Sequence, residues 1–305
     1  MKAPHLILKG RMRRRLLGIA CIATWHSVRV HIRAGMNLTA GAGLSWAIDH
    51  DDDVECCEID LSRAQFVDTF GLVLVVTVAE QAVQSNQKVR VTSPRSQGAR
   101  VWLSRMHLRE ALAELGVECD LKPVRHTPLG DRVLELHSFD RDSPDELADK
   151  VYRALEGDDR AEAGTLYRSV ADALDNVRCH SEADRGWAAL HQYGKDATRR
   201  IEFAVGDSGV GLRRSLAAAH QVQSDKAALE LALQRGISGT GEAGRGNGLA
   251  DIAERAWKRD GILRLYSGRD VASVLRESVV RFRPANARFP GTLVYSKMTF
   301  HHGGD

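Results

Sequence analysis

Three short segments hold the residues best suited to chemistry. Asp172-Ala173-Leu174-Asp175-Asn176 sets a carboxylate and an amide at i and i+4, which share one face of a helix. Asn176 offers an oxygen to a Mg²⁺ ion and Asp172 a carboxylate that can orient a water. Asp207-Ser208-Gly209-Val210-Gly211-Leu212 puts an aspartate at the end of a strand-like run, Ile201 to Gly206. In α/β folds that is where ligands sit, and a carboxylate there can accept a hydrogen bond from an exocyclic amine such as that of adenine. Gly209 and Gly211 allow the backbone to approach a ligand closely. Gly244-Arg245-Gly246-Asn247-Gly248-Leu249 leads into a helical run, so its N–H groups and the helix dipole can meet a phosphate. The spacing is not that of a P-loop, since no lysine follows, and no strand precedes it as in a Rossmann fingerprint. Each segment alone has an ordinary reading: a polar helix stripe, a strand-to-loop turn, a flexible glycine loop. In this order they describe one nucleotide site.

The three segments resemble the boxes of the GHKL ATP-binding superfamily (gyrase B, the large heat-shock chaperone ATPases, MutL and the histidine-kinase ATPase domain) over about residues 131–300. The resemblance implies a left-handed α/β sandwich, the Bergerat fold, that binds ATP with Mg²⁺. It makes Asn176 the Mg²⁺ ligand and Asp207 the residue that reads adenine, with Gly209 and Gly211 beside it. Gly244, Gly246, Gly248 and Leu249 become the phosphate-facing box, and Gly291-Thr292 the closing Gly-Thr. The stretch from Arg213 to Ala243 becomes the ATP lid, with Gly236, Gly239 and Gly241 as its mobile points. Hydrolysing members carry Glu where this chain has Asp172, one methylene shorter, so ATP binding with weak or no hydrolysis is expected. His180-Ser181 resembles the pair that follows this box in anti-sigma-type serine kinases. A partner-switching serine/threonine kinase is therefore an alternative, and an interaction scaffold with a degenerate site is another.

The segment Ile59-Asp60-Leu61-Ser62, then Phe66-Val67-Asp68-Thr69-Phe70-Gly71-Leu72, resembles the STAS domain of anti-sigma-factor antagonists over about residues 27–120. Antagonists carry a phosphorylated serine just before the Gly. Phe70 stands there, so the usual phospho-switch is missing, and Asp68-Thr69 reads as a helix cap.

The elements that must position these residues follow from periodicity. Strands are expected at 27–33, 54–61 and 88–92, and helices at 70–83 and 96–115. A boundary is placed in Glu118–Gly130, where Pro123 and Pro128 fall. Beyond it, strands are expected at 132–139, 188–193, 200–205, 262–267 and 292–300, and helices at 143–155, 163–180, 226–235 and 250–258. The expected fold class is α/β: an N-terminal STAS-like α/β domain (27–122) plus a C-terminal Bergerat-fold α/β sandwich (131–300), after a disordered leader (1–26).

The chain has 305 residues, 43% hydrophobic and 27% charged, as in a soluble globular protein of two domains. A net charge of +3 without a dense Lys/Arg face argues against nucleic acid. The basic cluster Lys9–Arg15 and the apolar run Leu16–Thr24 mimic a signal peptide but lack a small-residue cleavage site, and the run is too short to span a bilayer. Five cysteines without a C-x-x-C pair suggest buried thiols in a reducing compartment. With these features, the two resemblances imply a cytoplasmic protein with ATP and Mg²⁺ as cofactors, an unidentified regulatory protein as partner, and a homodimer as an allowed state.

Overall fold

A computed structural model describes residues 30–34, 36–40, 56–124, 133–140, 147–149, 151–152, 160–195, 198–239, 246–277 and 279–301. The protein is α/β, with two main sheets. The first is parallel, in the order β1 (Val30–Arg33), β3 (Cys56–Asp60), β5 (Lys88–Thr92), β6 (Glu118–Cys119). A two-stranded ribbon, β2 (Asn37–Leu38) with β4 (Phe66–Val67), flanks it. Parallel neighbours need crossovers, and α1 (Thr69–Gln84) and the pair α2 (Gln97–Arg105) and α3 (Leu108–Glu114) supply them.

The second sheet is antiparallel throughout. Its order is β10 (Ile262–Arg276), β11 (Val279–His301), β9 (Thr198–Asp207), β8 (Arg185–Lys195), β7 (Val133–Asp140). One face carries α4 (Arg160–His180), α5 (Gly211–Ala217), α6 (Asp225–Ala232) and α7 (Gly248–Trp257). The other face is covered by α1.

That last contact explains why α1 is apolar all round. Thirteen of its residues are buried, from Thr69 through Ala82, because the helix lies between the two sheets and has no solvent side. Phe70 stacks on Tyr266 at 4.6 Å and meets Tyr295 edge-on at 6.2 Å. Cys57, Ile59 and Val91 of the first sheet and Trp187, Ala204 and Leu293 of the second belong to the same apolar cluster. Two glycines permit the close fit. A Cβ at Gly71 would sit 2.4 Å from the Leu38 carbonyl oxygen, and one at Gly206 would sit 2.8 Å from Val73.

The central strand β9 is buried on both sides from Ile201 to Asp207. Alternation sends Ile201, Phe203 and Val205 toward α4 and α7, and Ala204 toward α1. Asp207 shares parity with the first set, which aims it at the helical layer.

Several expectations change. The helix expected over 96–115 is two helices, because His107 adopts a left-handed φ of +59° and turns the chain between them. The strands expected at 262–267 and 292–300 run on, through 276 and from 279, as one long hairpin. Within the expected lid lie two packed helices, α5 and α6, anchored by buried Leu212, Leu216, Leu229 and Ala232. The expected boundary segment contributes β6 to the first sheet. The leader (1–26) lies outside the described residues, as does most of the helix expected at 143–155; residues 147–149 and 151–152 are helical. Cys56, Cys57, Cys119 and Cys179 are free thiols, and burial pushes Cys57 up to about 12. No helix among the described residues is long and apolar enough to cross a membrane.

Candidate nucleotide site

The α4 helix turns its apolar stripe, Leu166, Val170, Ala173, Leu174 and Val177, onto the sheet. Asp172 and Asn176 therefore fall on its flank, at the mouth of a cavity of about 460 Å³. The cavity is closed by Leu212 and Ser215 of α5, by Ile237 to Gly239, and by Gly246 to Leu249. A narrow recess of about 10 Å³ adjoins it, lined by Asp207, Thr292, Val294 and Val177. Asn176, His180, Leu212, Ser215 and Leu249 border both spaces. The structure thus brings together Asp172, Asn176, Asp207, Gly211, Gly246, Gly248, Leu249 and Thr292. Gly244 lies outside the described residues.

Asp207 is 2% exposed. Its Oδ1 accepts the Gly209 N–H at 2.9 Å, and the Thr292 N–H also reaches the carboxyl. Burial dominates and pushes this carboxyl up to about 7. A carboxyl oxygen held this way at the end of a recess is a fixed acceptor. The surrounding glycines are there for closeness. A Cβ on Gly209 would lie 1.9 Å from the Ser181 carbonyl oxygen, and one on Gly291 would lie 2.1 Å from the Asp207 carbonyl oxygen. Gly211 needs its positive φ of +73°. Ser181 is itself buried and bonded within its own turn, to Val177 O and Ala183 N.

The N-terminus of α7 has no side-chain cap. Asn247, at the cap position, instead accepts the Gly236 N–H through Oδ1 at 3.0 Å. The first N–H groups of this helix are left for another acceptor, next to the cavity. Gly246, with φ +91°, passes against Ile237, where a Cβ would come within 2.4 Å of backbone. Gly248 has a helix-packing role as well: a Cβ there would lie 3.3 Å from the Asp172 Cβ.

Asn176 donates through Nδ2 to the Asp172 carbonyl at 2.7 Å, which leaves Oδ1 as an oxygen ligand. Asp172 has a partner that the sequence did not advertise. Arg255, on α7, donates to its Oδ2 at 2.7 Å, and Asp251 stands on the far side of that guanidinium at 3.9 Å. Burial outweighs the arginine and raises the Asp172 carboxyl above the ordinary range.

Other participants were also missed. Ser267 Oγ accepts the Leu212 N–H at 2.9 Å and donates to the Gly291 carbonyl at 3.0 Å, tying the glycine turn to the last hairpin. Glu80, on α1, is buried against the back of the site. It accepts from Ser208 Oγ at 2.9 Å and from Trp187 Nε1 at 3.2 Å, with Arg185 at 3.4 Å. Asp207 and Ser208 thus face opposite sides of one strand end. Of these only Ser208 had a sequence signal, as part of the Asp207–Leu212 segment.

No protein-family model matches the chain, and no curated protein matches it. Among solved structures, it is similar to a mycobacterial sensor histidine kinase, MprB, at 17% identity, covering 54% of this chain and 99% of that one, with a TM-score of 0.26.

Proposed function

We propose that the protein is a regulatory ATP-binding protein of GHKL type, in which a STAS-like N-terminal unit backs a Bergerat-type sandwich. One observation carries this reading. A buried carboxylate, Asp207, and an uncapped helix N-terminus, that of α7, open onto adjoining spaces bordered by Asn176. Adenine, phosphate and metal each have a chemically matched group there.

In this reading Asp207 accepts from the adenine amine, and the Thr292 segment holds the carboxyl in place. The N–H groups of Gly248 and Leu249 receive the phosphates. Asn176 Oδ1 is the protein ligand to Mg²⁺, whose remaining positions suit phosphate and water oxygens. Among the described residues no His/Cys/Asp/Glu cluster could hold a metal by itself, so the ion arrives with the nucleotide. Bound ATP would supply a γ-phosphate transferable to water or to a partner's hydroxyl. Asp172 serves poorly as the base for either, because Arg255 occupies its carboxylate. ATP binding with slow turnover is the outcome, and an unidentified regulatory partner reads the bound state.

Titration calorimetry with ATP and Mg²⁺ tests this. Wild type binds, and Asp207→Ala weakens binding at least tenfold, as expected for a lost hydrogen bond at a buried acceptor. Failure of wild type to bind ATP would sink the proposal.

A further inference from the structure

A second cavity, of about 520 Å³, borders the Gly209–Gly211 turn. Gly211 also lines the recess that holds Asp207. Four arginines line it: Arg213 and Arg214 from α5, Arg269 and Arg288 from the paired strands β10 and β11. Its one acid, Asp225, is already committed. Asp225 accepts the Arg269 backbone N–H at 2.8 Å and packs on Gly268, where a Cβ would come within 2.3 Å of the carboxylate. Arg214 reaches Glu182 at 3.5 Å, but both side chains are largely exposed, so the pair is weak. Arg213, Arg269 and Arg288 have no acidic partner among the described residues.

Three unbalanced guanidinium forks at one concavity match phosphate geometry, because each can bond two phosphate oxygens at once. The size suits a small molecule rather than a protein segment. Val222 and Phe289 give part of the wall an apolar character, which an organic group could use. We propose that this cavity binds the phosphate group of a small molecule, as free phosphate or a phosphomonoester, through Arg213, Arg269 and Arg288. The cavity also includes Ser267, whose hydroxyl holds the Leu212 N–H and the Gly291 carbonyl. An anion settling there acts on the same turn that carries Asp207.

The test is calorimetric titration of the full chain with inorganic phosphate and, separately, with phenyl phosphate. Three proteins are compared: wild type, Arg269→Ala/Arg288→Ala, and Asn176→Ala. Phosphate binds wild type and the Asn176 variant alike, and the arginine variant binds at least tenfold more weakly. Arg269→Lys/Arg288→Lys keeps the charge but loses the forks, and falls between. Both arginines are exposed, so unchanged thermal melting checks that these variants fold. Tighter binding of phenyl phosphate assigns a phosphomonoester, and equal binding assigns free phosphate. Three results would overturn the proposal: no binding of either probe by wild type, equal binding by the arginine variant, or loss of binding in the Asn176 variant. The last would place the phosphate in the nucleotide cavity. None of these results depends on whether ATP binds.

Discussion

At the residue scale, Asp207 makes the clearest demand. An ionised carboxylate is the better acceptor for an adenine amine, and burial pushes this one up to about 7. ATP affinity measured across pH 6 to 8 therefore rises with pH, and Asp207→Asn flattens the profile. A pH-independent affinity in wild type would contradict the assigned role. Gly209 makes a second demand. Alanine there drives its Cβ into the Ser181 carbonyl, and backbone cannot rotate away as a side chain would. Gly209→Ala should cost about 2 kcal/mol or more in urea denaturation. These roles were legible in part. Asp207 and its glycines announce themselves by type and spacing. The pairing of Asp172 with Arg255 joins residues on two helices far apart in sequence, and no local pattern encodes it. The same holds for Ser267, a serine in an unremarkable strand.

At the scale of elements, α1 shows what periodicity can and cannot say. Its apolar run reads plainly as a buried helix. What buries its far side is β8, β9 and β11, the first of which begins at Arg185, about a hundred residues after the helix ends, and that is a tertiary fact. Glu80 is the one carboxylate within the helix's buried stretch, and its partners lie on the second sheet or, for Ser208, just past the end of β9. Two of its contacts are hydrogen bonds, and the third is an arginine that is 41% exposed and screened by water. The hydrogen bonds therefore dominate. Glu80→Leu should destabilise the fold by about 2 kcal/mol by stranding Trp187 Nε1 and Ser208 Oγ, and Glu80→Gln by less, since its amide oxygen still accepts. Equal losses, measured by denaturation, would show that the Arg185 ion pair matters more. Other elements were misjudged for local reasons. His107 takes a left-handed turn that no glycine flags, and the long hairpin of β10 and β11 is interrupted by polar and arginine residues that hide its alternation.

At the scale of the whole molecule, four buried acids work in one direction. Asp68 and Asp207 are each pushed up to about 7 by burial, and burial raises Glu80 and Glu202 as well. In the unfolded chain these groups lose their protons in the ordinary carboxylate range. Between that range and about pH 7 the folded state holds more protons, so its stability falls as pH rises through this window. The melting temperature of the unliganded protein should decline from about pH 4 to pH 7 and then level off. Asp68→Asn/Asp207→Asn should flatten most of that decline. Because α1 is shared, the two sheets should also unfold together. A fragment of residues 131–305 uncovers Trp187, Ala204, Leu293 and Tyr295, and should aggregate or bind a hydrophobic dye where the full chain does not. A soluble, cooperatively melting fragment would show that the second sheet does not need α1.

The shared helix also has a consequence for synthesis. Translation delivers β1 through β6 and α1 first, while the strands that cover the far side of α1 are still unmade. At ordinary elongation rates that interval is on the order of ten seconds. During it the nascent chain displays a helix with Val73, Thr77 and Glu80 bare. A ribosome-associated chaperone would meet this protein there, and a stalled chain would be most prone to aggregate between α1 and β9.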